Sequence, residues 1–416
     1  MKLLTLLDEA QYPETTFVWE KKKCKSSFSP LATCRFLNPD EMIVFLTKEA
    51  EQSIYSEFQS GLPDGLPVKL KRIPAGSSNE ELWEIAQTIN RAVRDNEEIA
   101  LDITHGPLSF PLIALIVTIF MRVGRAVDIR AILYGVYGVD RDVDPGVTPI
   151  FDLGQMLTWL EWFVATDRFV NAGDSADLTE LVKEYRRTLT QRARGDQEAL
   201  KGLGSLGKLA GVLENISQSL HMIRPYQVMT HIADLEPRLD EAMPILDNRD
   251  NPLPTPVLLE RVKSAYLDMA NREPEASTNV IQTLKIERRL INWYADRERW
   301  VEAITLAREW LVSWTMVQFK LTELTDRTPR QRIESVLGAE AHDYKMKKKI
   351  KQPYQPLFLG DLPSLEDVLA LWLDLVEVRN DINHAGKRPR PSSPKSLVAR
   401  SDKCIKMINQ LPLAFK

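Results

Sequence analysis

Residues Glu98-Ile99-Ala100-Leu101-Asp102-Ile103-Thr104 run directly into His105-Gly106-Pro107-Leu108-Ser109 and then into the apolar segment 110–123. A short, nearly continuous apolar run is what a strand buried on both faces requires. The longer segment behind it, with Pro111 near its first turn, predicts a helix that is buried on most sides. Working outward, the same signal recurs. Segments 2–7, 42–47, 67–73, 127–134 and 147–151 read as strands, and 48–60 and 80–94 as helices, the second opened by the capping box Ser78-x-x-Glu81. Short apolar strands alternating with helices indicate a mostly parallel, doubly wound, Rossmann-like α/β domain over residues 1–151.

Such sheets bind ligands beyond the C-terminal ends of their strands, where the strand order reverses. Two loops carry suitable groups. One is Asp8-Glu9-Ala10-Gln11-Tyr12-Pro13-Glu14-Thr15-Thr16, and the other is the stretch 102–109 already quoted. Gly106 permits close backbone approach, Ser109 can cap a helix whose free N–H groups suit phosphate, and Thr104 and His105 add hydroxyl and imidazole donors. A plain strand-to-helix turn explains the same residues equally well. Neither G-x-G-x-x-G after the first strand nor G-x-x-x-x-G-K-[ST] occurs, which argues against a dinucleotide dehydrogenase or a P-loop NTPase.

Strand signals stop after Asp152. Segments 155–170, 178–192, 198–223, 256–270, 276–299 and 301–321 read as helices, with Trp159, Trp162, Trp300, Trp310 and Trp314 as ordinary core residues. The Pro-rich stretches 247–254 and 351–363 read as loops, and the basic segment 345–351 as a solvated face. The last strong helix, 364–386, is opened by a box-like Ser364-x-x-Asp367 and ended by Gly386 and Pro389. Its apolar stripe is Leu365, Val368, Trp372 and Leu375/Val376, and the next position on it is Arg379. A guanidinium there is costly unless an anion meets it. Asn380 follows it and His384 lies further along. A fixed cation with an imidazole, the side chain suited to proton exchange near neutral pH, is a minimal set for cleaving a phosphodiester. An ion pair of Arg379 with Glu377 or Asp381 is the plain alternative.

At 416 residues the chain is long enough for two or three domains. A net charge of −4 supplies no global basic field, so any RNA contact must be local, as at Lys387-Arg388-Pro389-Arg390 with Lys395 and Arg400. Cys24, Cys34 and Cys404 show neither metal-ligand spacing nor even pairing, which suits reduced thiols in a cytoplasm. The apolar start at 1–7 stops at Asp8-Glu9, too short for a signal core, and 110–121 is far short of a membrane span.

Asp102-Ile103-Thr104-His105-Gly106 with Ser109-Phe110-Pro111-Leu112, Tyr12-Pro13-Glu14-Thr15-Thr16, and Leu46-Thr47-Lys48-Glu49-Ala50 together resemble the ligand-loop signature of CARF domains, the cyclic-oligoadenylate sensors of type III CRISPR systems. Arg379-Asn380-x-x-x-His384 resembles the HEPN ribonuclease motif. The chain thus resembles CARF–HEPN ancillary ribonucleases over residues 1–175 and 364–386. The resemblance implies a CARF-like sensor at 1–151, linker helices at 152–195 and an all-α HEPN-like effector at 196–416. It implies a homodimer, or a higher oligomer of dimers, that binds cyclic tetra-adenylate or another cyclic oligoadenylate through Asp8, Ala10, Gln11, Tyr12, Thr15, Thr104, His105, Gly106 and Ser109. It implies cleavage of single-stranded RNA by Arg379, His384 and Asn380 to 2′,3′-cyclic phosphate ends, without a metal. In one ideal helix, positions five apart diverge by about 140°, so two helices meeting across a two-fold axis would surround a phosphate better than one. The family usually has glycine in the loop where this chain has Asp8-Glu9-Ala10. Those carboxylates point away, bind ribose hydroxyls, or alter activator preference. Other readings are a sensor without nuclease activity, or a ring nuclease in which Thr104, His105 and Ser109 of the sensor cut the activator.

Overall fold

The computed structural model describes residues 1–106, 109–137, 146–193, 197–247, 255–346 and 362–413. Two compact units are present, Met1–Glu161 and Trp162–Lys416.

The first unit is an eight-stranded mixed sheet. Its strands are β1 (Lys2–Leu7), β2 (Thr15–Trp19), β3 (Lys22–Ser26), β4 (Glu41–Leu46), β5 (Val68–Arg72), β6 (Glu98–Asp102), β7 (Asp128–Gly135) and β8 (Val147–Asp152). They lie in the order β3-β2-β8-β7-β6-β1-β4-β5. The block from β7 to β5 is parallel throughout, while β8 on β7 and β3 on β2 are antiparallel. The helices are α1 (Ser29–Leu37), α2 (Lys48–Ser53), α3 (Tyr55–Ser60), α4 (Asn79–Ala92), α5 (Ser109–Arg125) and α6 (Gln155–Ala172), the last of which runs on into the second unit.

The apolar strands are continuous because both faces are covered. In β1, Leu3 and Leu7 join one core, and Leu4 and Leu6 the other. Strand order reverses at β1, which lies between β4 and β6, so the loops after β1 and β6 meet at one place. The capping box forms in a shifted version: Ser78 Oγ accepts from Glu81 N at 3.2 Å, while Glu81 Oε2 reaches one residue past the cap and accepts from Ser77 N at 2.7 Å.

Three local expectations change. The helix expected over 48–60 is broken at Ile54 into α2 and α3. The segment read only as a ligand loop continues into the β2–β3 hairpin. Helix α5 is not buried on most sides: Leu112, Ile116, Phe120 and Val123 are all more than half exposed and share one helical face.

The second unit holds α7 (Ala176–Arg192), α8 (Gln197–Gly202), α9 (Gly204–His221), α10 (Pro225–Leu246), α11 (Thr255–Tyr266), α12 (Val280–Ala295), α13 (Trp300–Gln318), α14 (Arg327–Lys345), α15 (Leu365–Asn383) and α16 (Pro394–Gln410) around one apolar core. Trp310 and Trp314 are fully buried and donate their indole N–H groups to Leu284 O and Pro412 O, each at 2.8 Å. Trp159, by contrast, is 40% exposed. On α12, Glu287 is buried and one carboxyl oxygen has no partner among the described residues. Burial pushes its carboxyl up to about 8, opposed by Arg330. Most of the loop readings at 247–254 and 351–363, and residues 347–351 of the basic segment, lie outside the described residues. Among the described residues no helix is long and apolar enough to cross a membrane.

Candidate functional site

The loop after β6 is built on Asp102. Its carboxylate is buried and accepts from Ser29 Oγ at 2.7 Å, Thr33 Oγ1 at 2.9 Å and the Thr104 amide at 3.0 Å. The Thr104 hydroxyl accepts from the Gly135 amide at 2.9 Å and lies 3.0 Å from Ser29 Oγ. Since Ser29 spends its proton on Asp102, Thr104 donates to Ser29. This chain of bonds fixes the strand end and turns the Thr104 hydroxyl inward. Ser29 and Thr33 went unread in the sequence. The only local signal is Pro30 at the first turn of α1.

His105 has no exposed surface, and its Nε2 accepts from the Ser29 amide at 3.0 Å. That contact puts the proton of the neutral ring on Nδ1, which has no partner among the described residues. Burial holds the imidazole below the usual histidine range, opposed by Asp102 and Asp8. Tyr12 lies over it, with ring centroids 4.2 Å apart, and stacks on Tyr137 at 5.4 Å. The Tyr137 hydroxyl is buried and also without a partner among the described residues. Burial raises both phenols, with the Asp8 hydrogen bond adding to the effect on Tyr12.

Asp8 does not point away. Its Oδ2 accepts from the Gly106 amide at 3.1 Å and from the Tyr12 hydroxyl at 2.9 Å. Gly106 has φ +109°, a conformation that side chains rarely adopt, which explains glycine there. Of the expected ligand residues, Asp8, Tyr12, Thr104, His105 and Gly106 therefore converge. Ala10 and Gln11 are exposed in the same loop. Thr15 lies in β2, and its hydroxyl is bound to Gly146 O at 3.0 Å and Thr148 Oγ1 at 2.9 Å, away from a ligand. Ser109 is the first residue of α5 and half-buried, while Pro107 and Leu108 before it lie outside the described residues.

In the second unit, α15 packs on α13, α14 and α16. Its buried stripe continues through Val378 rather than Arg379, which sits half-buried at the flank. The guanidinium is therefore accommodated at an edge, not forced into a core. Ser364 has φ 54° and makes no capping bond, so that box does not form. Glu377 is held by Lys345 at 2.9 Å and Arg400 at 3.0 Å, and Asp381 accepts from the Ser392 amide at 2.9 Å. Both carboxylates named as partners for Arg379 are thus engaged elsewhere, and Arg379 has no hydrogen bond or ion pair among the described residues. Asn380 and His384 are exposed, and His384 caps α15 just before the left-handed turn at Ala385 and Gly386. Lys387, Arg390 and Lys395 are exposed nearby in sequence. Among the described residues no cluster of three or more His, Cys, Asp or Glu is placed to hold a metal ion.

No family model matches the chain. It is 30% identical over 127 residues to CRISPR-associated protein MJ1674 of Methanocaldococcus jannaschii. That stretch is 30% of this chain and only 20% of the relative's length. Among solved structures, Enterococcus italicus Csm6 bound to cyclic hexa-2′-fluoro-hexa-dAMP aligns over 98% of this chain and 92% of its own, at 9% identity and a TM-score of 0.42, a likeness too distant to carry an argument. Over those 127 residues the chain is similar to a CRISPR-associated protein, in agreement with the CRISPR resemblance carried by its own motifs.

Proposed function

We propose that this protein is a homodimeric endoribonuclease that cuts single-stranded RNA when a cyclic oligoadenylate occupies the loops after β1 and β6. The observation that carries this reading is the end of α15. A guanidinium without a carboxylate partner among the described residues stands five residues before an exposed imidazole at the end of the same helix, and the acidic neighbours are committed elsewhere. A merely structural arginine would use Glu377 or Asp381.

Two copies of α15 meeting across a two-fold axis would place two such couples around one phosphodiester. One His384 takes the proton of the 2′-hydroxyl, whose oxygen attacks phosphorus. The bond to the 5′-oxygen breaks, and that oxygen takes a proton from the His384 of a second copy. The products are a 2′,3′-cyclic phosphate and a 5′-hydroxyl. Arg379 stabilises the charge that develops on the phosphoryl oxygens, and Asn380 orients the couple. The exposed stripe of α5 supports self-association, as does the groove of about 660 Å³ that it forms with α4, lined by Leu82, Trp83, Ile113, Ile116 and Phe120.

A fluorogenic RNA assay with cyclic tri-, tetra- and hexa-adenylate, each with and without EDTA, tests the proposal. Cleavage should need one ring and survive EDTA. A rate unaffected by every ring would refute the activation, and loss with EDTA would refute the metal-free chemistry.

A further inference from the structure

An anionic ligand entering the sensor loops finds its best donor already occupied. The Gly106 amide faces the end of β1, and the Asp8 carboxylate sits on it at 3.1 Å, 98 residues away in sequence. The same oxygen accepts from the Tyr12 hydroxyl, and the Tyr12 ring covers His105. The Tyr12 ring contacts two rings, His105 and Tyr137, whose Nδ1–H and hydroxyl are buried and without a partner among the described residues. Buried groups of this kind are costly to leave unpaired. A closed loop that occupies one donor and covers two unpaired polar groups has the form of a shut site.

Resting on the reading of this loop as a cyclic-oligoadenylate site, we infer that Asp8 is a built-in phosphate surrogate that sets the threshold for activation. A phosphate of the activator replaces the carboxylate on the Gly106 amide, since two anions do not share one N–H donor. Once Asp8 leaves, Tyr12 loses its anchor and its ring is free to move off His105. The His105 Nδ1–H and the Tyr137 hydroxyl then gain partners on the ligand. The chain would in this way trade sensitivity for a low basal response.

Three variants of the full chain separate the parts. Asp8→Asn keeps an oxygen for the Gly106 amide but removes the charge. Asp8→Ala removes both, and Tyr12→Phe keeps the ring but frees it from Asp8. In the ligand-free protein, hydrogen exchange at the Gly106 amide should be faster in Asp8→Ala than in wild type. Binding of cyclic tri-, tetra- and hexa-adenylate is then measured directly. The expected result is a Kd at least about tenfold lower for both Asp8 variants with the ring that binds, and a smaller gain for Tyr12→Phe. Binding by the variants alone would also uphold the inference. If wild type binds a ring and the Asp8 variants bind it equally or more weakly, Asp8 is a ligand contact and the surrogate role is overturned. If neither wild type nor any variant binds any ring, the activator reading fails, and the surrogate role with it.

Discussion

Replacing Arg379 by alanine separates a catalytic guanidinium from a structural one. Arg379 is half-buried and has no hydrogen bond or ion pair among the described residues, while Val378 fills the core position beside it. The fold therefore loses only part of an aliphatic stem, and stability should change by no more than about 0.5 kcal/mol. The reaction loses much more. A donor preorganised toward transition-state charge is worth about 2.7–4 kcal/mol, so the cleavage rate should fall by about 100- to 1000-fold. Arg379→Lys should fall between wild type and alanine, because it keeps charge but not the planar fork. The assay is activator-dependent cleavage of a fluorogenic RNA, with thermal melting and activator binding measured on the same preparations. Binding and melting should match wild type. An unchanged cleavage rate would refute the role, and so would a loss accompanied by an equivalent drop in melting temperature.

Other outcomes follow from the same geometry. The Glu287 carboxyl titrates near 8 in the fold against about 4.3 unfolded, so the folded state holds a proton that the unfolded chain has released. The stability this proton provides is present below about pH 4 and is lost as pH rises toward 8, roughly 4 kcal/mol over the window. Glu287→Gln should accordingly raise the melting temperature at pH 8 and leave it nearly unchanged at pH 4. Asp102→Ala strands the Thr104 amide and removes three accepted hydrogen bonds, and should cost about 3–5 kcal/mol, read from chemical denaturation. Ile116→Asp with Phe120→Asp places charge on the exposed face of α5, and should turn the proposed dimer into monomers in sedimentation while leaving the helical content of the circular dichroism spectrum intact.

The α/β architecture was legible because β1, β4 and β6 are buried on both faces and leave unbroken apolar runs in the sequence. The β2–β3 hairpin was not. β3 reads Lys22-Lys23-Cys24-Lys25-Ser26, and only Cys24 and Ser26 face inward, so most of its residues carry the signature of a solvated loop. Helix α10 was missed for the opposite reason. Pro237 and Pro244 lie inside it and read as breakers, yet burial of Val228, Met229, Ile232, Leu235 and Leu239 outweighs the two lost amides. At the loops after β1 and β6, residue types singled out groups that the fold brings together, but not the contacts they make. The Asp8–Gly106 bond exists because β1 and β6 are neighbours, a fact of strand order that no local pattern encodes. Likewise the flank position of Arg379 depends on how α15 rolls against its neighbours, since the same heptad leaves either Val378 or Arg379 toward the core.

The two margins of the sheet limit how copies of this chain can join. β3 contributes Lys22, Lys23 and Lys25 at one margin, and β5 contributes Lys69, Lys71 and Arg72 at the other. Each outer strand would bring cationic side chains against their own mirror set if two copies tried to extend the ladder. Growth into an open-ended ribbon is therefore discouraged by electrostatic repulsion, which leaves side-chain packing on a helical flank as the route for the self-association proposed above.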